Sequence, residues 1–208
     1  MSNQAQIRVV CFDLGGVLAN IERTWHGAMK AAGLEPTIGI EVPITDFELL
    51  TPYQSAQINE ATYLQGLAKY LKLDSTDLAK EAHNGILGFP YPDTKPIVDE
   101  LRSKGIMTAC LSNTSALHWD YFFTDRFPNI AALDLHVGSH ILQMEKPDEA
   151  IYRAFEVLAE AKPHEILFFE DTPPNAHAAI KFGWNACIVD PYRPTAPQIR
   201  EALDKWGL

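Results

Sequence analysis

The residues best suited to chemistry in this sequence follow short apolar runs. Asp13 ends the run Val9–Phe12 and is soon followed by Gly15 and Gly16. A short apolar run closed by turn residues is typical of a buried strand in a parallel sheet. An aspartate is costly to bury unless it is paired or bound to a metal, and open α/β sheets bind ligands at the carboxyl ends of their strands. We therefore predict that Asp13 lies at such an end, where the glycines allow a sharp turn or the close approach of a bound group.

Three further polar groups occupy comparable places, two directly after predicted strands and one at the start of a helix: Ser112-Asn113, Glu170-Asp171 and Lys146. The carboxyl ends of parallel strands face one edge of a sheet, so these groups can converge with Asp13 on one crevice. Clustered carboxylates repel each other unless a divalent cation lies between them, and Mg²⁺ prefers such oxygen ligands. A carboxylate beside Mg²⁺ can act as the nucleophile in phosphoryl transfer, and hydroxyl, amide and ammonium groups can hold phosphoryl oxygens.

Each of these groups also has a purely structural interpretation. Asp13 could form a turn, Ser112-Asn113-Thr114 could cap the following helix, and Lys146 could be a solvated surface residue. Glu170-Asp171 could be a capping pair before the next helix. Their occurrence together, at matching positions of one predicted fold, favours a functional site over four unrelated structural roles.

Strand and helix patterns alternate along the second part of the chain. Strands are predicted at 106–111, 132–137, 165–169 and 186–189, with helices at 94–104, 148–160 and 173–182 and a last helix that Gly207 closes. Together with the strand before Asp13, this alternation predicts an α/β fold: a doubly wound, Rossmann-like parallel sheet of five strands.

Residues 20–92 have a different character. Helices are predicted at 24–32, 59–71 and 75–84, with Asp74 as the N-cap of the third, and no strong strand separates them. The interpretation is a small all-helical cap domain, 20–92, inserted after the first strand of a core domain formed by 1–19 and 93–208.

Net charge, apolar runs and cysteine content argue against several classes of partner and location. The 208 residues carry a formal net charge of −10, which argues against nucleic acid or an anionic membrane as partner. The sequence shows neither a signal-peptide pattern nor an apolar run near the ~20 residues that span a bilayer. Cys11, Cys110 and Cys187 all fall in predicted strands, so we expect buried thiols and a reducing, cytoplasmic location. The oligomeric state stays open.

The ordered motifs resemble those of the haloacid dehalogenase (HAD) superfamily: Asp13-Leu14-Gly15-Gly16-Val17-Leu18, Leu111-Ser112-Asn113, Lys146-Pro147 and Glu170-Asp171. The helical insertion resembles the C1-type cap of that family. Within the family the chain resembles bacterial glucose-1-phosphate phosphatases and, more distantly, the phosphatase domain of soluble epoxide hydrolases. The resemblance implies Mg²⁺-dependent hydrolysis of a small phosphorylated metabolite, such as a sugar phosphate, through an aspartyl-phosphate.

The resemblance also implies a role for each motif residue. Asp13 would be the nucleophile and a metal ligand. The transferring phosphoryl group would be held by Ser112, Asn113 and Lys146. The protein's other metal ligands would be Asp171, Glu170 (directly or through water) and the backbone carbonyl of Gly15.

One position departs from the family pattern. Most phosphatases of the family have a general acid/base two residues after the nucleophile, and this chain has Gly15 there; such a group is typically worth ~10²–10⁴-fold in rate. The favoured interpretation is a phosphatase that takes a good leaving group, such as a sugar 1-phosphate or an acyl phosphate, or that recruits Glu22 or His26. A metal-independent 2-haloacid dehalogenase is one alternative, which Glu170-Asp171 disfavours. A catalytically weak phosphate-binding interaction protein is the other.

Overall fold

The computed structural model describes residues 6–208, so the first five residues of the predicted core segment 1–19 lie outside the described part. The strands are β1 Val9–Phe12, β2 Ala19–Ile21, β3 Leu87–Pro90, β4 Met107–Ser112, β5 Leu135–Gly138, β6 Ile166–Glu170 and β7 Asn185–Ile188. Five of them form a parallel sheet in the order β5-β4-β1-β6-β7. The predicted doubly wound sheet is confirmed, with β1 at its centre.

The helices are α1 Trp25–Ala31, α2 Leu50–Gln54, α3 Glu60–Tyr70, α4 Thr76–Asn84, α5 Lys95–Ser103, α6 Ala116–Trp119, α7 Pro128–Ala131, α8 Ser139–Leu142, α9 Glu149–Leu158, α10 Pro173–Lys181 and α11 Thr195–Trp206. Within the described part of the chain, no helix combines the length and apolar character needed to cross a membrane.

Both faces of the sheet are covered by helices. Successive residues of a strand point to opposite faces, and β1 shows this directly. Val10 and Phe12 pack in one apolar cluster with residues of α5 and α11, whereas Val9 and Cys11 pack in another with residues of α9 and α10. The central strand is fully buried, as its uninterrupted apolar sequence predicts.

The segment between β2 and β3 contains α1 to α4, which share an apolar cluster of their own around Trp25, Tyr63 and Leu67. The expectation of an all-helical insertion is wrong in one respect: β2 and β3 form an antiparallel pair where the chain enters and leaves this segment. These strands have three and four residues, and β3 contains Gly88 and Pro90, both of which are poor strand formers. Their sequences therefore carried little strand signal.

Two local details of this segment also differ from expectation. The N-cap of α4 is Ser75 instead of Asp74, because the Ser75 hydroxyl accepts a hydrogen bond from the Leu78 N–H at 3.2 Å. The short helix α2 was not predicted; its five residues include Pro52 and give too little periodicity to indicate a helix.

Two stacked histidines join the helical segment to the core. The rings of His83, in α4, and His118, in α6, lie 4.1 Å apart. His83 Nδ1 lies 2.8 Å from the Tyr63 hydroxyl and its Nε2 lies 3.1 Å from the Ser115 hydroxyl, while His118 Nε2 donates to the His83 carbonyl at 2.9 Å. Burial lowers the pKa of His118 to about 4 and that of His83 well below its usual range.

The buried pair of histidines predicts that the protein loses stability in acid. Below about pH 6.5 the unfolded chain binds protons on these histidines that the folded chain cannot bind, so the free energy of unfolding falls as the pH drops toward 4. Each histidine contributes at most about 1.4 kcal/mol per pH unit. We expect His118→Gln to reduce the slope of stability against pH by about that amount in urea unfolding between pH 7.5 and 5. His177→Gln, at an exposed position, is the matched control, and an unchanged slope in His118→Gln would contradict the assignment.

Candidate active site

A fully buried ammonium group organises the carboxyl edge of the sheet. Lys146 donates its three N–H groups to Asp13 Oδ1 at 3.0 Å, to the Leu111 carbonyl at 2.8 Å and to Glu170 Oε2 at 2.5 Å. Burial alone would lower the pKa of Lys146, but the Asp13 and Glu170 carboxylates outweigh burial and raise it. The lysine predicted on sequence grounds is therefore charged, enclosed and saturated with hydrogen bonds.

Asn113 fixes the backbone of this lysine. Its side-chain Nδ2 donates to the Lys146 carbonyl and its Oδ1 accepts from the Lys146 N–H, both at 2.9 Å. Both polar ends of the amide are thus committed to the loop that presents the ammonium group. This geometry gives Asn113 a positioning task that the sequence did not indicate, next to its predicted place beside the phosphoryl group.

Three carboxylates meet at the same edge. Asp13, Glu170 and Asp171 each have an oxygen within 4.8 Å of the others. Burial raises the pKa of Asp13, and the Asp171 charge adds to this, while the Lys146 ammonium opposes it. Burial likewise raises the pKa of Glu170 to about 8 against the effect of Lys146. Lys146 thus pairs with two of the three carboxylates, and the third, Asp171, pairs with Arg23.

The three carboxylates differ in how many protein donors they already hold. Glu170 accepts the Thr172 N–H at 2.9 Å and the Asn175 Nδ2 group at 3.3 Å in addition to Lys146. It is fully enclosed, beneath the lysine. Asp13 and Asp171 instead line an open cavity. Hard cations such as Mg²⁺ bind through one or two carboxylates, so the donor set suits this ion, and Asp13 and Asp171 are the two carboxylates that face the cavity.

Gly16 allows Asp171 to reach this position. Its φ is +78°, and a Cβ there would lie 2.3 Å from Asp171 Oδ2 and 2.6 Å from Arg23 Nη2. Arg23 forms an ion pair with Asp171 through the same two atoms. The positive φ of Gly16 agrees with the predicted sharp turn, whereas the groups that approach it are the side chains of Asp171 and Arg23 and not a bound group.

At Gly15 an added side chain would displace the tip of Ile21. A Cβ at this position would lie 2.9 Å from Cδ1 of Ile21, the last residue of β2. Where the resemblance places an acid/base, the first motif therefore lies against an apolar side chain of β2. No signal in the sequence could have indicated this contact, because β2 itself was not predicted.

The cavity above these groups has a volume of about 580 Å³. Ser112, at the end of β4, lines it together with Asp13, Lys146 and Asp171. The side facing the helical segment includes Glu22, Arg23, Gln54 and the two stacked histidines. Of the two proposed substitutes for the missing acid, Glu22 lines the cavity, whereas the His26 ring lies 3.3 Å from the Ile38 carbonyl.

The sequence model of the haloacid dehalogenase-like hydrolases matches residues 7–183. The chain is 25% identical to a phosphatase of Mycobacterium tuberculosis over 192 residues, which cover 91% of this chain and 81% of that protein.

Solved structures show the same fold. A HAD family enzyme from Bacteroides thetaiotaomicron, solved with magnesium and inorganic phosphate, has a TM-score of 0.77 at 22% identity and covers 93% of this chain and 100% of its own. A HAD-like family hydrolase from Porphyromonas gingivalis has a TM-score of 0.78 at 25% identity, with 96% and 98% covered.

The carboxylate cluster predicts stabilisation by Mg²⁺ in the absence of any substrate. A ligand that binds only the folded chain adds about 2.7 kcal/mol at a hundred times its Kd, so the melting temperature should rise when Mg²⁺ is added. Asp171→Asn removes one predicted ligand and should abolish most of this rise. Asp99→Asn, which removes a carboxylate from a surface pair with Lys95, is the control. A full rise in Asp171→Asn would exclude Asp171 as a ligand.

Proposed function

This chain belongs to the haloacid dehalogenase-like hydrolases, and we propose that it is a Mg²⁺-dependent phosphatase acting on a small phosphorylated metabolite. The observation that supports this most directly is the Asp13 carboxylate, oriented by a buried ammonium group and placed beside Asp171 at the floor of a cavity. The phosphatase of M. tuberculosis and the enzyme with bound magnesium and phosphate support the same assignment.

In the proposed first half-reaction an Asp13 oxygen attacks the phosphorus atom of the substrate. The bond from phosphorus to the leaving oxygen breaks, and its electron pair departs with that oxygen, which leaves an aspartyl-phosphate on Asp13. In the second half-reaction water attacks the same phosphorus, phosphate is released and the carboxylate is restored. Lys146 bonds to one carboxylate oxygen, Oδ1, which leaves the other oxygen of Asp13 for the attack.

We assign the Mg²⁺ site to Asp13, Asp171 and the Gly15 carbonyl, with Glu170 contributing through water or through its charge. When bound, the ion neutralises charge on the carboxylates and on the phosphoryl oxygens. Ser112 borders the cavity at the end of β4 and is our assigned hydroxyl donor to those oxygens. In this assignment Lys146 positions the Asp13 carboxylate relative to the phosphoryl oxygens, and Asn113 positions Lys146.

The leaving group must depart with little help from a proton donor. Gly15 carries no acid, and Ile21 lies close to it, so substrates whose leaving oxygen is stable as an anion are favoured. Sugar 1-phosphates and acyl phosphates meet this condition, in line with the resemblance to glucose-1-phosphate phosphatases. Glu22 is the carboxyl group of the cavity wall that could supply a proton to less favourable substrates.

The alternative functions have less support. A metal-independent dehalogenase has no need for the carboxylates that meet at Asp13. A non-catalytic phosphate-binding protein would not need an oriented nucleophile.

We place the protein in the cytoplasm, because Cys11, Cys110 and Cys187 are all free thiols, as a reducing compartment permits.

The proposal predicts Mg²⁺-dependent release of phosphate. Wild-type protein should release phosphate from glucose 1-phosphate, an acyl phosphate and an aryl phosphate, and removal of Mg²⁺ should stop the release. Asp13→Asn should abolish turnover without loss of the fold, because the amide is a poor nucleophile. Residual activity above a few per cent would remove Asp13 from this role. No release from any substrate would favour the binding protein, and chloride release from chloroacetate would favour the dehalogenase.

The close approach of Ile21 to Gly15 predicts that a restored acid works better when the Ile21 side chain is shortened. Gly15→Asp alone should gain little, because its Cβ meets Ile21. The double variant Gly15→Asp/Ile21→Ala should hydrolyse alkyl phosphates, which have poor leaving groups, on the order of 10²-fold faster than Gly15→Asp. Steady-state kinetics on alkyl and aryl phosphates, with Ile21→Ala as control, test this. Equal rates for the single and double variants would show that Ile21 is not the obstacle.

A further inference from the structure

Arg23 is a cation of the cavity that the mechanism above does not use. Among the described residues that line the cavity, the lysine and arginine side chains are those of Lys146 and Arg23. All three donors of Lys146 are taken by protein acceptors. A guanidinium group has five N–H donors, and in the described chain Arg23 donates only from Nη2, to Asp171. Most of its hydrogen-bonding capacity is therefore available to a ligand.

The guanidinium group is held in place from two directions. Asp171 binds Nη2, and the central carbon of the group lies over the Tyr192 ring, 5.8 Å from the ring centroid. The Arg23 side chain nevertheless remains 36% exposed, while the Asp171 side chain is only 4% exposed. One edge of the arginine is anchored and the rest faces accessible space, which is the arrangement expected of a preorganised anion-binding group.

The position of Arg23 indicates which part of a substrate it meets. Ser112 and Lys146 belong to the sheet side of the cavity, where we assign the transferring phosphoryl group. The backbone of Arg23 lies between β2 and α1 in the inserted segment, while its guanidinium group reaches Asp171 beside β6. The transferring phosphoryl group is assigned to Ser112 and the metal site, which leaves the departing part of the substrate for the free N–H groups of Arg23.

We propose that Arg23 binds a second acidic group of the substrate, so that the preferred substrates are phosphorylated metabolites that also carry a carboxylate or another phosphate. This inference rests on the proposed phosphatase function and narrows its substrate class. A guanidinium group pairs with such anions in a planar, bidentate manner, and a hydrogen bond between charged groups discriminates strongly against an uncharged analogue.

Two matched substrate pairs test the inference. Glucuronate 1-phosphate and glucose 1-phosphate differ only by a carboxylate in place of a hydroxymethyl group, as do phosphoglycolate and hydroxyethyl phosphate. The measured quantity is the ratio of kcat/KM for the acidic member to that for the neutral member. We expect a wild-type ratio above one in at least one pair, and a decrease of about 10- to 100-fold in that ratio in Arg23→Gln.

The change in this kcat/KM ratio distinguishes binding of a second acidic group from other roles of Arg23. If Arg23 acted on the transferring phosphoryl group or only on Asp171, both members would lose rate alike and the ratio would not change, which would overturn the inference. A wild-type ratio of one or less in both pairs would also overturn it. Arg23→Lys keeps the charge without the planar fork, and it serves if Arg23→Gln does not fold. Arg8→Gln, which breaks a surface pair with Glu165, is the matched control and should leave the ratio unchanged.

A binding measurement separates failure of the inference from failure of the proposed function. Phosphonates are not hydrolysed, so 3-phosphonopropionate and propylphosphonate can be compared by calorimetry in the presence of Mg²⁺. We expect the carboxylate compound to bind more tightly to wild-type protein and to lose that advantage in Arg23→Gln. If no phosphate ester is turned over but this difference is found, the phosphatase proposal fails and the binding role of Arg23 stands. Equal affinities in wild-type protein would refute the binding role.

Discussion

The Lys146 ammonium group is the contact on which the arrangement of the site depends. It bonds to the residue that follows β1, to Leu111 in β4 and to Glu170 in β6. These three strands are neighbours in the sheet, in the order β4-β1-β6. Removing one partner of a buried ion pair leaves an unpaired charge that costs roughly 3–5 kcal/mol. The ammonium group therefore stabilises the convergence of the strand ends and orients Asp13 at the same time.

The Lys146 ammonium group links three neighbouring strands of the core, whereas Asp171 connects the core to the inserted segment. Asp171 lies one residue beyond β6, and its oxygen pairs with Arg23, which follows β2. Gly16 lies between them without a side chain. A movement of the segment that begins at β2 would therefore change the surroundings of a predicted metal ligand. In the proposed mechanism, substrate recognition by Arg23 and metal binding by Asp171 are linked through this ion pair, which would couple the helical segment to the chemistry of the core.

Much of the sheet and of the candidate site could be predicted from the sequence, because buried parallel strands have a clear sequence signature. An apolar run followed at once by Asp13, Ser112 or Glu170 marks a strand end, and parallel topology then brings those ends together. The contacts made by β2 and β3 could not be predicted. Each strand is too short to give a periodic signal, so neither the approach of Ile21 to Gly15 nor the pairing of Arg23 follows from local sequence. The bonds between Asn113 and Lys146 span 33 residues and need the folded loop.

Ile21 and Arg23 are two residues apart, and each bears on the substrate of the proposed reaction in a different way. Gly15 supplies no proton donor, and Ile21 Cδ1 lies close to the position from which an acidic side chain would extend. The leaving oxygen must then depart carrying negative charge, which is costly in a site that already contains three carboxylates. Lys146 has no free donor with which to stabilise it. In the proposed mechanism Mg²⁺ supplies positive charge at the phosphoryl group, and Arg23 is proposed to bind an acidic group on the departing part of the substrate. The favoured substrate would then combine a leaving oxygen that needs no proton donor with a second acidic group that pairs with the guanidinium.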